Sequence, residues 1–423
     1  MIALIVAMIF LLLLIGAPIF LVLIIPSIVA LQLYFPNIDV SIVVQRMVAG
    51  VNSYTLLAIP FFIFAADIIS RGNIGKRLIN FSKVFVGHLP GGMAMTTILT
   101  CFFFGAISGA GQAAIVAVGS IVHPSLLAEK YEEKFSMGLI LTSSTLAMLV
   151  PPGIAMILYG IVSGESIGKV FFAGLSVGIV IAITLIIFSV IYAIIHKIPR
   201  SPRAQLSQVW KSFREAAWAL GLPVVILGGI YGGIMTTSEA AAVAVVYVLF
   251  VEMVVYRSLG IKELYRVAIK SSRTTAMILI LLAAGSLLSW VLTLAQIPQM
   301  MSSFLSGASV NMFLFFLIAI FLVAGMFLDP NSAIVILTPL FYPIAMSLGI
   351  DPIHLGIIIV LNLSIGMITP PFGINIFVGM AQFGISFGKA VSGVMPFIIM
   401  GIVVLFLIVY VPIISMWLPN LMF

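Results

Sequence analysis

Apolar runs of about 20 residues, each closed by a few polar residues, recur along the whole chain. A run of that length spans the hydrocarbon core of a bilayer as one helix. Residues 1–35 are almost unbroken apolar sequence punctuated by Gly16, Pro18 and Pro26. They predict either one long tilted helix or a helical hairpin turning near Gly16-Ala17-Pro18. From Asn37 to Ser53, Asp39, Gln45 and Arg46 stand among Ile42, Val43 and Met47, the pattern of an amphipathic helix lying along the interface. Further spans are expected at 54–70, 170–195, 216–234, 239–256, 274–292 and 394–415, with an uncharged connection at 293–309.

Two stretches break this rhythm. In the first, apolar segments 90–107 and 112–127 flank Ser108-Gly109-Ala110-Gly111. A helix at 135–150 then stops at Pro151-Pro152-Gly153 and resumes to 163. The second stretch repeats the layout, with segments 311–328 and 332–347 around Asp329-Pro330-Asn331 and a break at Pro370-Pro371. Pro124 and Pro343 are 219 residues apart, as are the two proline pairs and Gly174 and Gly393. Each stretch therefore reads as a re-entrant helical hairpin followed by a broken helix. Paired interruptions of this kind in the two halves of a membrane protein point to a transport site at the midplane.

Composition sharpens the class. The chain is 63% hydrophobic and 7% charged over 423 residues, far below the ~25% charged residues of a soluble domain. The net charge of +7 does not imply nucleic acid, because the basic residues sit in short loops. The most basic of these is the linker 196–215, between two halves of similar length. With that linker in the cytoplasm, every one of the 19 Lys and Arg except Arg46 and Lys169 falls on the cytoplasmic side. The first hairpin then enters from the cytoplasm and the second from outside, which makes the repeat inverted. Cys101 is the single cysteine, a small apolar residue of a helix that excludes an intrachain disulfide.

The chemistry follows from the breaks. Unpaired backbone groups in hydrocarbon cost several kcal/mol each, so a break survives only where something satisfies them. Pro151 and Pro152 carry no N–H, which leaves the carbonyls of Ala147 and Met148 without donors, and those up to Val150 end a half-helix. Free carbonyls facing the Ser108 hydroxyl make an oxygen site suited to Na⁺. The second copy offers Gly325 and Asp329 against Gly366, Ile368 and Thr369. Half-helix N-termini beside Gly109, Gly153 and Asn331 favour an anionic group. Asp329 lies in an apolar run and reads as a functional acid, a helix cap, or both. Asp67 and Glu239, near span ends, read as structural, and Glu165 as a loop residue. His88, His123, His196 and His354 show no metal-ligand spacing and are expected in loops or at the interface. No HExxH, no Walker A lysine and no paired aspartates of prenyl-transferring enzymes occur.

GAISGAG, LVPPGIAMILYGIVSGESIGKVFFAG, LPVVILGGIYGGIMTTSEAAAVAVVYVLFV and IGMITPPFGINIFV together resemble the large membrane subunit of tripartite ATP-independent periplasmic (TRAP) transporters. The resemblance covers nearly the whole chain. It implies an all-α protein of the bacterial inner membrane that works as an Na⁺-driven elevator importing organic acids such as sialic acid or C4-dicarboxylates. It implies two protein partners, a small four-helix membrane subunit and a periplasmic substrate-binding protein. It also implies one Na⁺ near Ser108, Val150 and Pro151 and another near Gly325, Gly366 and Thr369. Ala110 and Gly153 stand where many members carry serine.

The expected organisation has scaffold spans at 1–70 and 216–292 and transport repeats at 88–175 and 310–393. The linker is 196–215 and the final span lies in 394–423. The rival readings are a stand-alone ion-coupled anion carrier, a polytopic membrane enzyme and a channel.

Overall fold

The computed structural model describes residues 1–296, 300 and 309–422, and the side chains of residues 2 and 3 are not among what it describes. Most of the expected connection at 293–309 therefore lies outside the described residues. Helices follow in the order α1 (Ile2–Leu14), α2 (Ile19–Tyr34), α3 (Ser41–Val51), α4 (Ala58–Arg71), α5 (Ile74–Val86) and α6 (Gly92–Ser108). Next come α7 (Gly111–Ala128), α8 (Glu133–Leu149), α9 (Ile154–Ser163), α10 (Ile167–Ile195), α11 (Leu206–Tyr231) and α12 (Thr237–Val255). The chain closes with α13 (Ile261–Leu294), α14 (Val310–Phe327), α15 (Pro330–Ser347), α16 (Pro352–Gly366), α17 (Ile374–Phe383), α18 (Phe387–Tyr410) and α19 (Ile413–Met422).

The N-terminal 35 residues form a helical hairpin. Gly16 adopts φ +72° with nothing near it, and Pro18 starts α2. Residues 206–215 of the expected linker are instead the first turns of α11, and α13 begins at Ile261, inside the basic loop. With 34 residues, α13 is about 50 Å long, so its Lys- and Arg-rich start projects beyond the hydrocarbon. The final segment is a span plus the short helix α19, because Val411 leaves helical geometry just before Pro412. Helix α5 had no clear apolar run to announce it. It is amphipathic and buries Leu78, Ile79 and Ser82.

The two interrupted stretches fold into the same succession: α6–α7 then α8/α9, and α14–α15 then α16/α17. Helices α8 and α9 bend by 40° at their break. Polar contacts sort the hairpin bases onto opposite ends. Lys83–Glu129 (3.6 Å) and Lys389–Glu133 (3.1 Å) lie at the base of the first hairpin, and Lys270–Asp67 (2.6 Å) joins α13 to α4. At the base of the second, the Tyr342 hydroxyl donates to Glu165 (2.5 Å) and the Tyr159 hydroxyl to the Pro352 carbonyl (2.5 Å). Glu165 is in the loop between α9 and α10 as expected, and there it is half-buried and bonded to Tyr342.

The largest buried cluster runs without a break from α4 to α18, through Ile59, Phe104, Leu149, Ala244, Phe321 and Leu405, and two smaller clusters lie beside it. One cluster joins α1–α3 to the C-terminal half of α13 through Leu23, Leu31, Val43, Leu287 and Val291. Another joins the first hairpin and α8 to α17 and α18 through Ile115, Met137, Leu141, Ile376, Val394 and Ile398. The two stretches are therefore interleaved, each packing on the other's broken helix. Exposed Val224, Val246, Ile399 and Val403 belong to the apolar outer wall.

Candidate functional site

The first tip is built on glycine. Helix α6 ends at Gly109, which takes φ +59° and returns its N–H to the Gly105 carbonyl at 2.8 Å. A Cβ on Gly105 would stand 2.5 Å from the Ala147 Cα, and one on Gly109 would stand 2.2 Å from the Pro152 carbonyl oxygen. These two approaches bracket Ser108 and set the end of α6 against the stretch from Ala147 to Gly153. Ser108 is buried, and its Oγ accepts a long bond from the Ala110 N–H (3.5 Å). The hairpin thus stops at the depth of the break, which sits inside a helix that runs on to Ser163. Gly153 is pressed on the Met148 carbonyl, where a Cβ would come to 2.4 Å.

Across the break, Val150 donates to Leu146 (2.9 Å). Among the described residues no donor reaches the carbonyls of Ala147, Met148, Leu149 or Val150. Helices α6 and α8 both point their C-terminal, electronegative ends at this place, while α7 and α9 begin there. Cations are stabilised at the former and anions at the latter.

The second copy brings its hairpin equally onto its broken helix. A Cβ on Gly325 would lie 3.0 Å from the Gly366 Cα, and one on Gly366 would lie 2.6 Å from the Gly325 Cα. Ala147 and Gly366 are 219 residues apart and their partners Gly105 and Gly325 are 220 apart, so the two copies make the corresponding contact with a one-residue slip on the hairpin side. Here the break answers its own carbonyls. Thr369 N–H donates to Gly366 (2.9 Å), Asn375 N–H to Met367 (3.0 Å) and Gly373 N–H to Thr369 (3.1 Å). The Thr369 hydroxyl donates to Ile365 (2.7 Å), which leaves its lone pairs free to accept. Asp329 is a helix cap. Its carboxylate accepts from the N–H groups of Asn331 (3.0 Å) and Ser332 (3.2 Å) and from the Ser332 hydroxyl, so these bonds all run to its own helix.

The copies meet at Asn375. Its amide donates to the Ser144 hydroxyl of α8 at 3.2 Å, and Gly111 of the first tip lies beside both residues. Asn375 Oδ1, Ser143 Oγ and Thr142 Oγ1 are buried without a partner among the described residues. Sequence reasoning missed Asn375. The signal was a lone amide in an apolar run directly after a proline break.

Do these groups suit Na⁺? The first copy supplies neutral carbonyl and hydroxyl oxygens without donors, which fits a hard monovalent cation. The second supplies the same kinds of atom, but a cation there shares carbonyls already bonded to N–H. No group of three or more His, Cys, Asp and Glu able to hold a metal occurs among the described residues.

Other expected residues fall into place. Asp67 accepts from Lys270 and from the Ser271 hydroxyl (2.8 Å). Glu239 closes a capping box with Thr236. His354 corrects the expectation of a loop or interface histidine. It is buried at the start of α16, with Nδ1 2.7 Å from the Ser415 hydroxyl and Nε2 3.3 Å from the Val409 carbonyl. Glu252 is a further acid within an apolar span. It is fully buried and accepts from the N–H groups of Asn73 and Ile74 (3.3 Å each) and from the Ser258 hydroxyl. It therefore fastens the start of α5 to α12, and its place in an otherwise apolar run was the sequence signal for it.

Known proteins share this fold. The solved structure of the Alcanivorax borkumensis YdaH transporter overlays with a TM-score of 0.63 at 14% identity, covering 89% of this chain and 88% of that one. Neisseria gonorrhoeae MtrF gives 0.51 at 15% identity over 97% and 95%. At such identities the likeness is one of fold alone. Sequence relatives are nearer. The ectoine TRAP transporter large permease protein TeaC of Halomonas elongata is 41% identical, over 90% of each chain. The C4-dicarboxylate TRAP transporter large permease protein DctM of Pseudomonas aeruginosa is 41% identical, over 87% of this chain and 86% of its own. The 2,3-diketo-L-gulonate large permease YiaN of Escherichia coli is 35% identical over 88% of each. Residues 6–414 match the family described as tripartite ATP-independent periplasmic transporter, DctM component. The chain is a multi-pass permease of the inner membrane and not an enzyme, and it belongs to the DctM family of TRAP transporter large permeases.

Proposed function

We propose that this permease imports a small organic acid anion, coupled to Na⁺, by elevator-type movement of its hairpins and broken helices against the scaffold. The observation that carries the reading is the first tip and break, where unpaired carbonyls meet a buried hydroxyl at the ends of two half-helices. Na⁺ is held by the Ser108 hydroxyl with the carbonyls of Ala147, Val150 and Pro151. A second Na⁺ is held by the carbonyls of Gly325 and Gly366 with Thr369. Because these oxygens do not titrate near neutral pH, they favour a metal ion over a proton as the coupled species. The substrate carboxylate lies at the N-termini of α7, α9, α15 and α17, beside Gly109, Gly153 and Asn331, with Asp329 holding the start of α15. Ordering of the tips by Na⁺ precedes substrate capture, since the carbonyl and N–H ends belong to the same tips.

Relatives named for C4-dicarboxylates and 2,3-diketo-L-gulonate favour a small organic acid. Ala110 and Gly153 offer no hydroxyl to a polyol, which favours a C4-dicarboxylate-like acid over sialic acid. Membership of a tripartite family supports delivery by a periplasmic binding protein and association with a small membrane subunit.

The test is uptake by proteoliposomes holding the permease and its small subunit, with and without the loaded binding protein. Uptake is expected to need both the binding protein and an inward Na⁺ gradient. Undiminished uptake in Na⁺-free buffer across a proton gradient overturns the ion assignment, and undiminished uptake without the binding protein overturns the delivery step.

A further inference from the structure

Away from the tips, a cavity of about 370 Å³ opens between α3 and α13 on one side and α9 and α15 on the other. That volume is in the range of small-molecule sites. Its two walls differ in kind. Arg46, Ser286, Ser289 and Trp290 give the α3/α13 wall its polar character, whereas Ile161, Val162, Val335 and Pro339 make the facing wall apolar. Arg46 lies on an exposed face of α3, with its guanidinium over the Trp290 ring, 4.9 Å from the centroid. It makes none of the ion pairs found among the described residues. The nearest acid along the chain, Asp39, accepts instead from the Ser41 N–H at 2.7 Å.

The placement of Arg46 is built. One turn further on, Gly50 is pressed against α13, where a Cβ would stand 2.3 Å from the Ser286 Cβ. The Ser286 hydroxyl reaches the Arg46 carbonyl at 3.4 Å. By charge distribution this is the outer side, where Arg46 and Lys169 are the two basic residues. A guanidinium stacked on an indole keeps its in-plane N–H groups for a carboxylate fork.

We propose that this cavity is an outer receiving site for organic carboxylates, in which Arg46 takes a carboxylate before the anion reaches the hairpin tips. The proposal rests on the organic-acid reading above. Its polar half belongs to the stationary wall, so movement of α9 and α15 past it exchanges an apolar lid over a fixed cation. The same chemistry would suit a lipid phosphate, and the test separates the two.

The test uses the permease with its small subunit in Na⁺-free nanodiscs of phosphatidylcholine, followed by Trp emission. Potassium succinate is titrated against potassium chloride at matched ionic strength. The expected result is a saturable, succinate-specific change that vanishes in Trp290→Phe. In Arg46→Gln its half-saturation rises at least tenfold, and Arg46→Lys restores part of the affinity. A response equal in chloride, or one kept in Arg46→Gln, overturns the site. A response abolished by adding phosphatidylglycerol to the nanodisc assigns Arg46 to lipid phosphate and also overturns it. Because the titration contains no Na⁺ and no binding protein, its outcome is independent of the uptake test. Loss of Na⁺-coupled uptake with the succinate response intact counts against the functional reading and leaves this site standing.

Discussion

Gly109→Ala perturbs one contact and little else. The added Cβ would meet the Pro152 carbonyl oxygen at 2.2 Å, and real Cβ atoms essentially never come closer than 3.0 Å. Because that oxygen belongs to the backbone, no rotamer relieves the clash, and tip and break must part by about 0.8 Å (3.0 less 2.2). Alanine in left-handed geometry costs a further ~1 kcal/mol. Ion coordination holds only within about ±0.2 Å of its ideal distances, so at the proposed Na⁺ site a displacement of this size should pull the Ser108 hydroxyl away from the carbonyls across the break. The apparent Na⁺ affinity should fall about tenfold to a hundredfold, each decade being worth about 1.4 kcal/mol. The assay is the Na⁺ concentration giving half-maximal uptake in proteoliposomes. Gly164→Ala is the control. Gly164 also has a left-handed φ, +77°, but nothing lies within 4 Å of a Cβ there. It should match Gly109→Ala in strain and wild type in Na⁺ dependence. Wild-type Na⁺ dependence in Gly109→Ala, or an equal loss in Gly164→Ala, refutes the argument.

In the second copy, Gly366→Ala brings a Cβ to 2.6 Å from the Gly325 Cα and should likewise weaken Na⁺ by about tenfold or more, read by the same titration. Asp329→Ala removes a cap and should cost ~1 kcal/mol, while Asp329→Asn keeps the cap and should unfold and transport like wild type; a transport-dead Asn variant would show that the charge itself is used. Glu252→Ala orphans two backbone N–H groups, those of Asn73 and Ile74, and should lower stability by ~2–4 kcal/mol, measured as thermal unfolding in detergent, with Na⁺ affinity unchanged.

The breaks and tips were legible because proline and glycine act through the backbone. Pro151-Pro152 and Ser108-Gly109 state locally what the chain cannot do, and the 219-residue spacing states it twice. Asn375, Glu252 and His354 were misread or missed for a different reason. Each acts through a partner far along the chain: Ser144, Asn73 and Ser415. No local pattern encodes such a pairing. The start of α13 was read as loop because its Lys and Arg mask a helix that continues past the hydrocarbon. The difference between the two breaks, one with free carbonyls and the other self-bonded, depends on whether Gly373 and Asn375 fold back, which spacing alone does not reveal.

The interleaved packing of Ile115, Met137 and Leu141 against Ile376, Val394 and Ile398 has a bearing on biogenesis. The first half leaves the ribosome with this seam still open, facing lipid and lacking the amide that Ser144 will later receive. It must wait in the membrane, inserted and unfinished, until the last spans arrive. A chain severed in the exposed segment before α11 should therefore give two inert fragments when they are made separately and a working permease when they are made together.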